Sequence, residues 1–228
     1  MPLIVIEGLD GSGKHTQAEM LQEAIPGSVL IDFPRYQNPS SYLVREHLAG
    51  RTSPDPTIEN PYAAATYFAA DRVISYNTEN WGKALAENKT VIMDRYTTSV
   101  LIYQAAKLPE YKRKEYCRWV WDYETNRLQL PKPDLVIFID LHPDIAMRLA
   151  KERANKGQGH DKNISGSLDL YEKNREYQIR CYHAACQASS VYHWETVFAS
   201  NAFDEMRTKE NIHNDIISIC KKKGLIKL

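Results

Sequence analysis

Leu3-Ile4-Val5-Ile6-Glu7-Gly8-Leu9-Asp10-Gly11-Ser12-Gly13-Lys14-His15-Thr16 is the stretch whose reading decides the fold. Its apolar, β-branched start predicts a short strand, the glycine-rich middle a turn, and Thr16-Gln17-Ala18-Glu19-Met20-Leu21 a helix. Glycines let such a turn curl so that successive N–H groups point inward at phosphate oxygens. The helix behind it aims its positive end at the same anion, and Lys14 adds a mobile cation for the terminal phosphates. Strand, loop and helix come in the order a P-loop requires.

One position departs from that pattern. The residue after the lysine is usually Ser or Thr, whose hydroxyl ligates Mg²⁺. Here it is His15, and Thr16 lies about 100° further round the helix. A neutral imidazole is a poor ligand for a hard, oxygen-seeking cation, so either Mg²⁺ is held from elsewhere or the motif is degenerate.

With 228 residues, one α/β domain over residues 1–228 is expected. The 29 basic and 29 acidic residues cancel, so no overall field recruits nucleic acid, and an anionic ligand must be met by local clusters. Cys117, Cys181, Cys186 and Cys220 show no metal-ligand spacing. No export signal precedes the first strand and no apolar run approaches a membrane span, so a cytoplasmic chain with reduced thiols is expected.

Four further strands are predicted at Ser28–Asp32, Thr90–Asp94, Leu135–Asp140 and Val191–Val197. Helices are predicted at Ser40–Ala49, from Asn60-Pro61 through Tyr76, and at Thr97–Ala106, Glu110–Arg127, Asp144–Arg153, Asp169–Ser189 and Ile212–Lys221. This alternation argues a parallel sheet covered on both faces. Ligands in such sheets bind beyond the carboxyl ends of strands. Phe33-Pro34-Arg35-Tyr36 follows one of those ends, and could hold a second substrate or be a proline turn with a solvated arginine. Phe68 and Arg72, four apart, share a helix face. That pairing suits a flat base, or else is a core ring beside a surface charge. Asp94 ends a strand next to the P-loop, where an acid can hold a metal-bound water or orient an attacking oxygen, and Arg95 would balance phosphate charge. Ser99 and Tyr103 share a face of the next helix. The segment from Ala154 to Leu168, with three glycines plus Lys156, His160 and Lys162, reads as a lid or as a solvated loop. Asp169 and Glu172 either complement a helix dipole or position the cations of that lid or a metal.

With Gly8–Thr16, Asp32-Phe33-Pro34-Arg35-Tyr36, Phe68-Ala69-Ala70-Asp71-Arg72 and Asp94-Arg95-Tyr96 in this order, the chain resembles thymidylate kinases. Pro131-Lys132-Pro133-Asp134 and the general wording look most like the clostridia-like bacterial type. The resemblance implies a three-layer P-loop NTPase fold: a five-stranded parallel sheet, helices on both faces and a lid at about 153–168. It implies transfer of phosphate from ATP to dTMP with Mg²⁺, in a homodimer. Gly8, Asp10, Gly11, Ser12, Gly13, Lys14, His15 and Thr16, with Lys156 of the lid, would bind ATP. Asp10 would also lie near the sugar 3′-hydroxyl of dTMP. Arg35 and Arg95 would hold the dTMP phosphate, with Phe33 and Pro34 in the same motif. Phe68 would stack on thymine, Arg72 would bond its edge, Ser99 and Tyr103 would lie along the nucleotide, and Asp169, Tyr171 and Glu172 would follow the lid. Asp94 would hold the metal through water. Because Gly11 stands where some members carry an arginine, Arg153 is expected to supply the catalytic one. Another nucleoside monophosphate kinase, a deoxynucleoside kinase or a non-catalytic P-loop protein are the alternatives; only His15 favours the last.

Overall fold

A computed structural model describes residues 2–53, 55, 57–155, 174–201 and 205–226, with the backbone alone at 153–155. The strands are β1 (Leu3–Gly8), β2 (Val29–Asp32), β3 (Val91–Asp94), β4 (Leu135–Asp140) and β5 (Glu195–Phe198). They lie in the order β2-β3-β1-β4-β5, every neighbouring pair parallel. All six residues of β1 are buried. Side chains alternate across a strand, so both faces of the central strand are covered by other elements. The edge strands β2 and β5 are only partly buried. Register aligns Ile6 with Asp94, Asp32 with Asp94, and Gly8 with Ile139, which gathers the carboxyl ends of β1, β2, β3 and β4 along one rim.

The helices follow as α1 (Lys14–Ala24), α2 (Tyr42–Leu48), α3 (Pro61–Thr78), α4 (Asn80–Ala86), α5 (Thr97–Tyr103), α6 (Glu110–Trp121), α7 (Pro143–Asn155), α8 (Arg175–Tyr192) and α9 (Lys209–Lys222). The Asn60-Pro61 start is real: the Asn60 side chain accepts from the Tyr62 N–H at 2.9 Å, and Pro61 opens the helix where no donor is needed. The α9 start lies three residues earlier than the apolar pattern indicates, because Thr208 caps it by accepting from Asn211 N–H.

Several elements differ from the sequence reading. The first helix starts at Lys14, directly on left-handed Gly13. The segment around Ser40 begins as a 3₁₀ turn, Pro39–Ser41, before α2. The α5 helix stops at Tyr103 and a 3₁₀ turn, Ala105–Lys107, follows it. What reads as one helix to Arg127 changes at Asp122 into a π-helical turn, Asp122–Arg127, which buries Glu124 and Thr125 side by side. The final strand does not begin at Val191. The α8 helix carries on to Tyr192 and ends on His193, whose φ is 54°, so the β-branched residue at 191 belongs to the helix. The α4 helix was not visible as a pattern, being a single short turn pair anchored by buried Trp81 and Ala84. Residues 169–173, expected as the first turn of α8, lie outside the described residues.

Candidate active site

The loop joining β1 to α1 reaches its shape through two left-handed glycines, Gly11 (φ 94°) and Gly13 (φ 86°). At Gly11 a side chain is also excluded by space, since a Cβ would run into the Ala146 carbonyl on α7. Gly8 ends β1, and Ser12 N–H closes the turn on Leu9 O at 3.1 Å. Lys14, 7% exposed, curls back over the loop and donates to Leu9 O (3.3 Å) and Asp10 Oδ1 (3.2 Å).

Arg95 comes to the same acid from β3. Its φ of 68° is rare for a residue with a side chain, and it turns the guanidinium back toward the P-loop, where it pairs with Asp10 Oδ1. Tyr103 closes the group: its ring lies 5.0 Å from the guanidinium carbon, and its hydroxyl donates to Asp10 Oδ2 and Gly8 O at 3.3 Å each. Burial by itself would raise the Asp10 pKa, but Arg95 and Lys14 outweigh it and hold the carboxyl well below the usual range. Burial and the neighbouring Arg95 charge push Lys14 downward. Two cations therefore converge on one acid at the mouth of a phosphate-shaped loop, an arrangement in which an anion gains from both.

Asp94, 7% exposed, stands beside them. His15 is accounted for here: its Nδ1 meets Asp94 Oδ2 at 2.9 Å and its Nε2 meets Glu19 Oε1 at 3.2 Å. That hydrogen bond to Asp94 raises the His15 pKa. For Asp94, burial pushes upward while the His15 bond and Lys14 bring the carboxyl below its ordinary value. His15 thus occupies one carboxylate oxygen, and the other, Oδ1, is buried with no partner among the described residues. Thr16, the next hydroxyl, is exposed. No group of three potential metal ligands exists among the described residues. A buried ionised oxygen without a donor fits a hydrated Mg²⁺ approached through water, with the remaining positions filled by phosphate oxygens.

The segment after β2 separates the two aromatic and cationic roles read from Phe33 to Tyr36. Phe33 is 5% exposed and lies edge-on to Trp81 at 6.4 Å, so its ring belongs to the core. Pro34 follows a cis peptide bond. Arg35 is held by two acids through all three of its nitrogens: Nε and Nη2 donate to Glu79 at 3.1 and 2.6 Å, and Nη1 to Asp32. Asp71 fixes the same loop by accepting from Arg35 N–H (2.8 Å) and Ser40 Oγ (2.6 Å). The alternative of a solvated arginine is therefore overturned.

On α3, Phe68 is half-buried with His47 edge-on against it at 5.7 Å. Arg72, one turn on, is 2% exposed and bound to Glu124, so it is no surface charge. Ser99 faces β1 instead of the open rim, donating to both carboxylate oxygens of Glu7 at 2.8 and 2.9 Å. Glu7 also accepts from Thr98 Oγ1 at 2.6 Å, and burial raises its pKa. Glu7, Glu79 and Glu124 were missed by sequence reasoning. Glu7 carried a signal, a charge closing an otherwise apolar strand; the other two carried none. Lys156, His160, Lys162, Asp169, Tyr171 and Glu172 lie outside the described residues, as does the side chain of Arg153, whose backbone sits in the last turn of α7.

A sequence model of the thymidylate kinase family matches residues 6–205. The chain is 34% identical over 184 residues to a thymidylate kinase of Mycobacterium tuberculosis, covering 78% of this chain and 81% of that protein. It is 31% identical over 206 residues to a thymidylate kinase of Caenorhabditis elegans, covering 75% and 87%. The fold superposes on the solved thymidylate kinase of Candida albicans with a TM-score of 0.71 at 22% identity, covering 98% of this chain and 92% of that one. These matches cross kingdoms and single out no bacterial subgroup. A match of this extent, over a P-loop facing Arg95 and an Arg35 loop, places the chain in the thymidylate kinase family.

Proposed function

We propose that the protein transfers the terminal phosphoryl group of ATP to dTMP, giving ADP and dTDP. The observation that carries this reading is the convergence of Lys14 and Arg95 on Asp10 where β1 and β3 end. Two cations at the P-loop support this reading, since both can neutralise phosphate charge there. Family membership identifies the pair as ATP and dTMP.

The division of labour follows from charge and reach. Residues Gly8–Thr16 hold ATP, with the N–H groups of the loop and Lys14 on the phosphates, and Lys156 joins from the lid. Arg35 and Arg95 hold the dTMP phosphate. To do so, Arg35 gives up part of its contact with Glu79 and Asp32, and Arg95 part of its contact with Asp10. Phe68 stacks on thymine, Arg72 bonds its edge, and Tyr103 borders the sugar. Pro34 shapes the Arg35 loop, Ser99 and Phe33 support from behind, and Asp169, Tyr171 and Glu172 close the site from the lid side. The dTMP phosphate is already ionised at neutral pH, so no strong base is needed. Catalysis then consists of in-line positioning and charge neutralisation. Asp94 would hold Mg²⁺ through water, and the ion would supply neutralisation of the charge on the donor phosphates. His15 keeps Asp94 oriented. The chain acts as one domain over residues 1–228 with a lid at 153–168, as a cytoplasmic homodimer.

A coupled assay of ATP consumption against a panel of nucleoside monophosphates and nucleosides tests the reaction. Turnover with dTMP well above dUMP is expected; equal or greater turnover with another monophosphate sinks the assignment. Arg153→Ala should lower kcat by about 10³-fold, the scale of arginine-finger losses, and near-normal turnover removes Arg153 from the mechanism.

A further inference from the structure

The contact between Arg72 and Glu124 joins α3 to the π-helical turn after α6, across 52 residues of chain. Arg72 Nε donates to Glu124 Oε2 at 2.7 Å and Nη2 to Oε1 at 2.5 Å. Two parallel bonds between planar groups fix the plane of the guanidinium, which one bond does not. Glu124 is itself held, since Thr97 Oγ1 donates to Oε2 at 2.6 Å. The acid is fully buried and the arginine 2% exposed.

A buried pair of this kind adds little stability over well-packed apolar residues of the same volume, so the fold alone does not require it. What it does provide is direction. Two of the three guanidinium nitrogens are committed, and Nη1 bonds nothing among the described residues. Nor does Nη1 belong to the buried polar atoms that lack a partner, so it is the nitrogen still open to a ligand. Phe68 lies one turn earlier on the same helix and is half-buried. A guanidinium nitrogen only donates, so a flat ligand on Phe68 must offer an acceptor there, a ring carbonyl and not an amino group.

We propose that Glu124 is a positioning residue for base choice: it holds Arg72 so that Nη1 alone meets the ligand and selects a pyrimidine carbonyl. This rests on the reading of Phe68 and Arg72 as the base site. Thr97 is the outer support of the same clamp. A hydrogen bond from a charged donor distinguishes ligands by roughly ten- to a hundredfold, and a guanidinium free to rotate loses most of that.

The test compares kcat/KM for dTMP and for its analogue in which hydrogen replaces the 4-carbonyl oxygen. The unaltered enzyme should prefer dTMP by about ten- to a hundredfold. Glu124→Gln keeps the shape but breaks the paired bonds. It should reduce that preference to a few-fold, raise the dTMP KM about tenfold, and leave kcat and the ATP KM within about threefold. Thr97→Val, which leaves the charge pair intact, should reduce the preference by roughly threefold. A folded Glu124→Gln protein with undiminished preference overturns the proposal. Should that variant not fold, an undiminished preference in Thr97→Val does the same. Arg72→Met separates the two levels: if it leaves the preference untouched, the base-site reading itself fails. If Arg72→Met abolishes the preference while Glu124→Gln and Thr97→Val keep it, only the role of Glu124 is lost.

Discussion

Gly11 shows how little freedom a single residue of this site has. Its φ of 94° is a left-handed conformation that a side chain resists, and a Cβ would meet the Ala146 carbonyl of the helix after β4. Gly11→Ala should therefore cost about 2–4 kcal/mol of stability, read as a lower urea midpoint, and weaken nucleotide binding as well. A variant within about 0.5 kcal/mol of the parent would show that the loop can shift freely away from α7. Strain is used at Arg95 in a different way, because there the left-handed backbone brings a cation to Asp10. His15 was legible only as a misfit for Mg²⁺. In the fold its Nδ1 meets Asp94, 79 positions away, at 2.9 Å.

At the level of elements, α2 is coupled to the base-site helix α3 through His47. This ring is fully buried, lies edge-on to Phe68, and meets Glu59 Oε2 at 2.7 Å. Burial and the Lys107 charge together outweigh Glu59 and press the His47 pKa down to about 4. Between that value and the ordinary 6.5, the unfolded chain binds more protons than the folded one. Stability contributed by neutral His47 is thus present above pH 6.5 and is lost as pH falls toward 4. Urea midpoints measured across this window should fall more steeply for the unaltered protein than for His47→Gln. Parallel curves would mean that His47 charges without penalty. The helix boundaries teach a related lesson. Val191 looks like strand by composition, yet it lies in α8 because the helix has a stop in left-handed His193. Val191 is itself exposed, so the helix stop, and not its composition, sets the boundary there.

Across the whole molecule, the sheet order brings the carboxyl ends of β1 and β3 side by side, and with them the P-loop and Arg95. A ligand that binds only this assembled rim must stabilise it by mass action. At a hundred times its Kd, dTMP should add about 2.7 kcal/mol, a rise in Tm of roughly 5–10 °C for a domain of this size. The shift should shrink in Arg72→Met, whose pairing with Glu124 and proposed contact with the base are both removed. No shift with dTMP at any concentration would contradict a formed acceptor site.

The sequence by itself determined the five strands, their alternation with helices, the P-loop and the motifs around Arg35, Phe68 and Asp94. These are local: a glycine, a cap or a hydrophobic period acts over a few residues and leaves its mark there. The tertiary structure alone decided how the charges are matched. Arg72 with Glu124, Arg35 with Glu79 and His15 with Asp94 are joined across 52, 44 and 79 positions. Glu124 and Glu79, read alone, resemble solvated surface residues, and Asp94 a metal-holding acid with no histidine partner, because the energy that selects each partner comes from burial, and burial exists only once the chain has closed on itself.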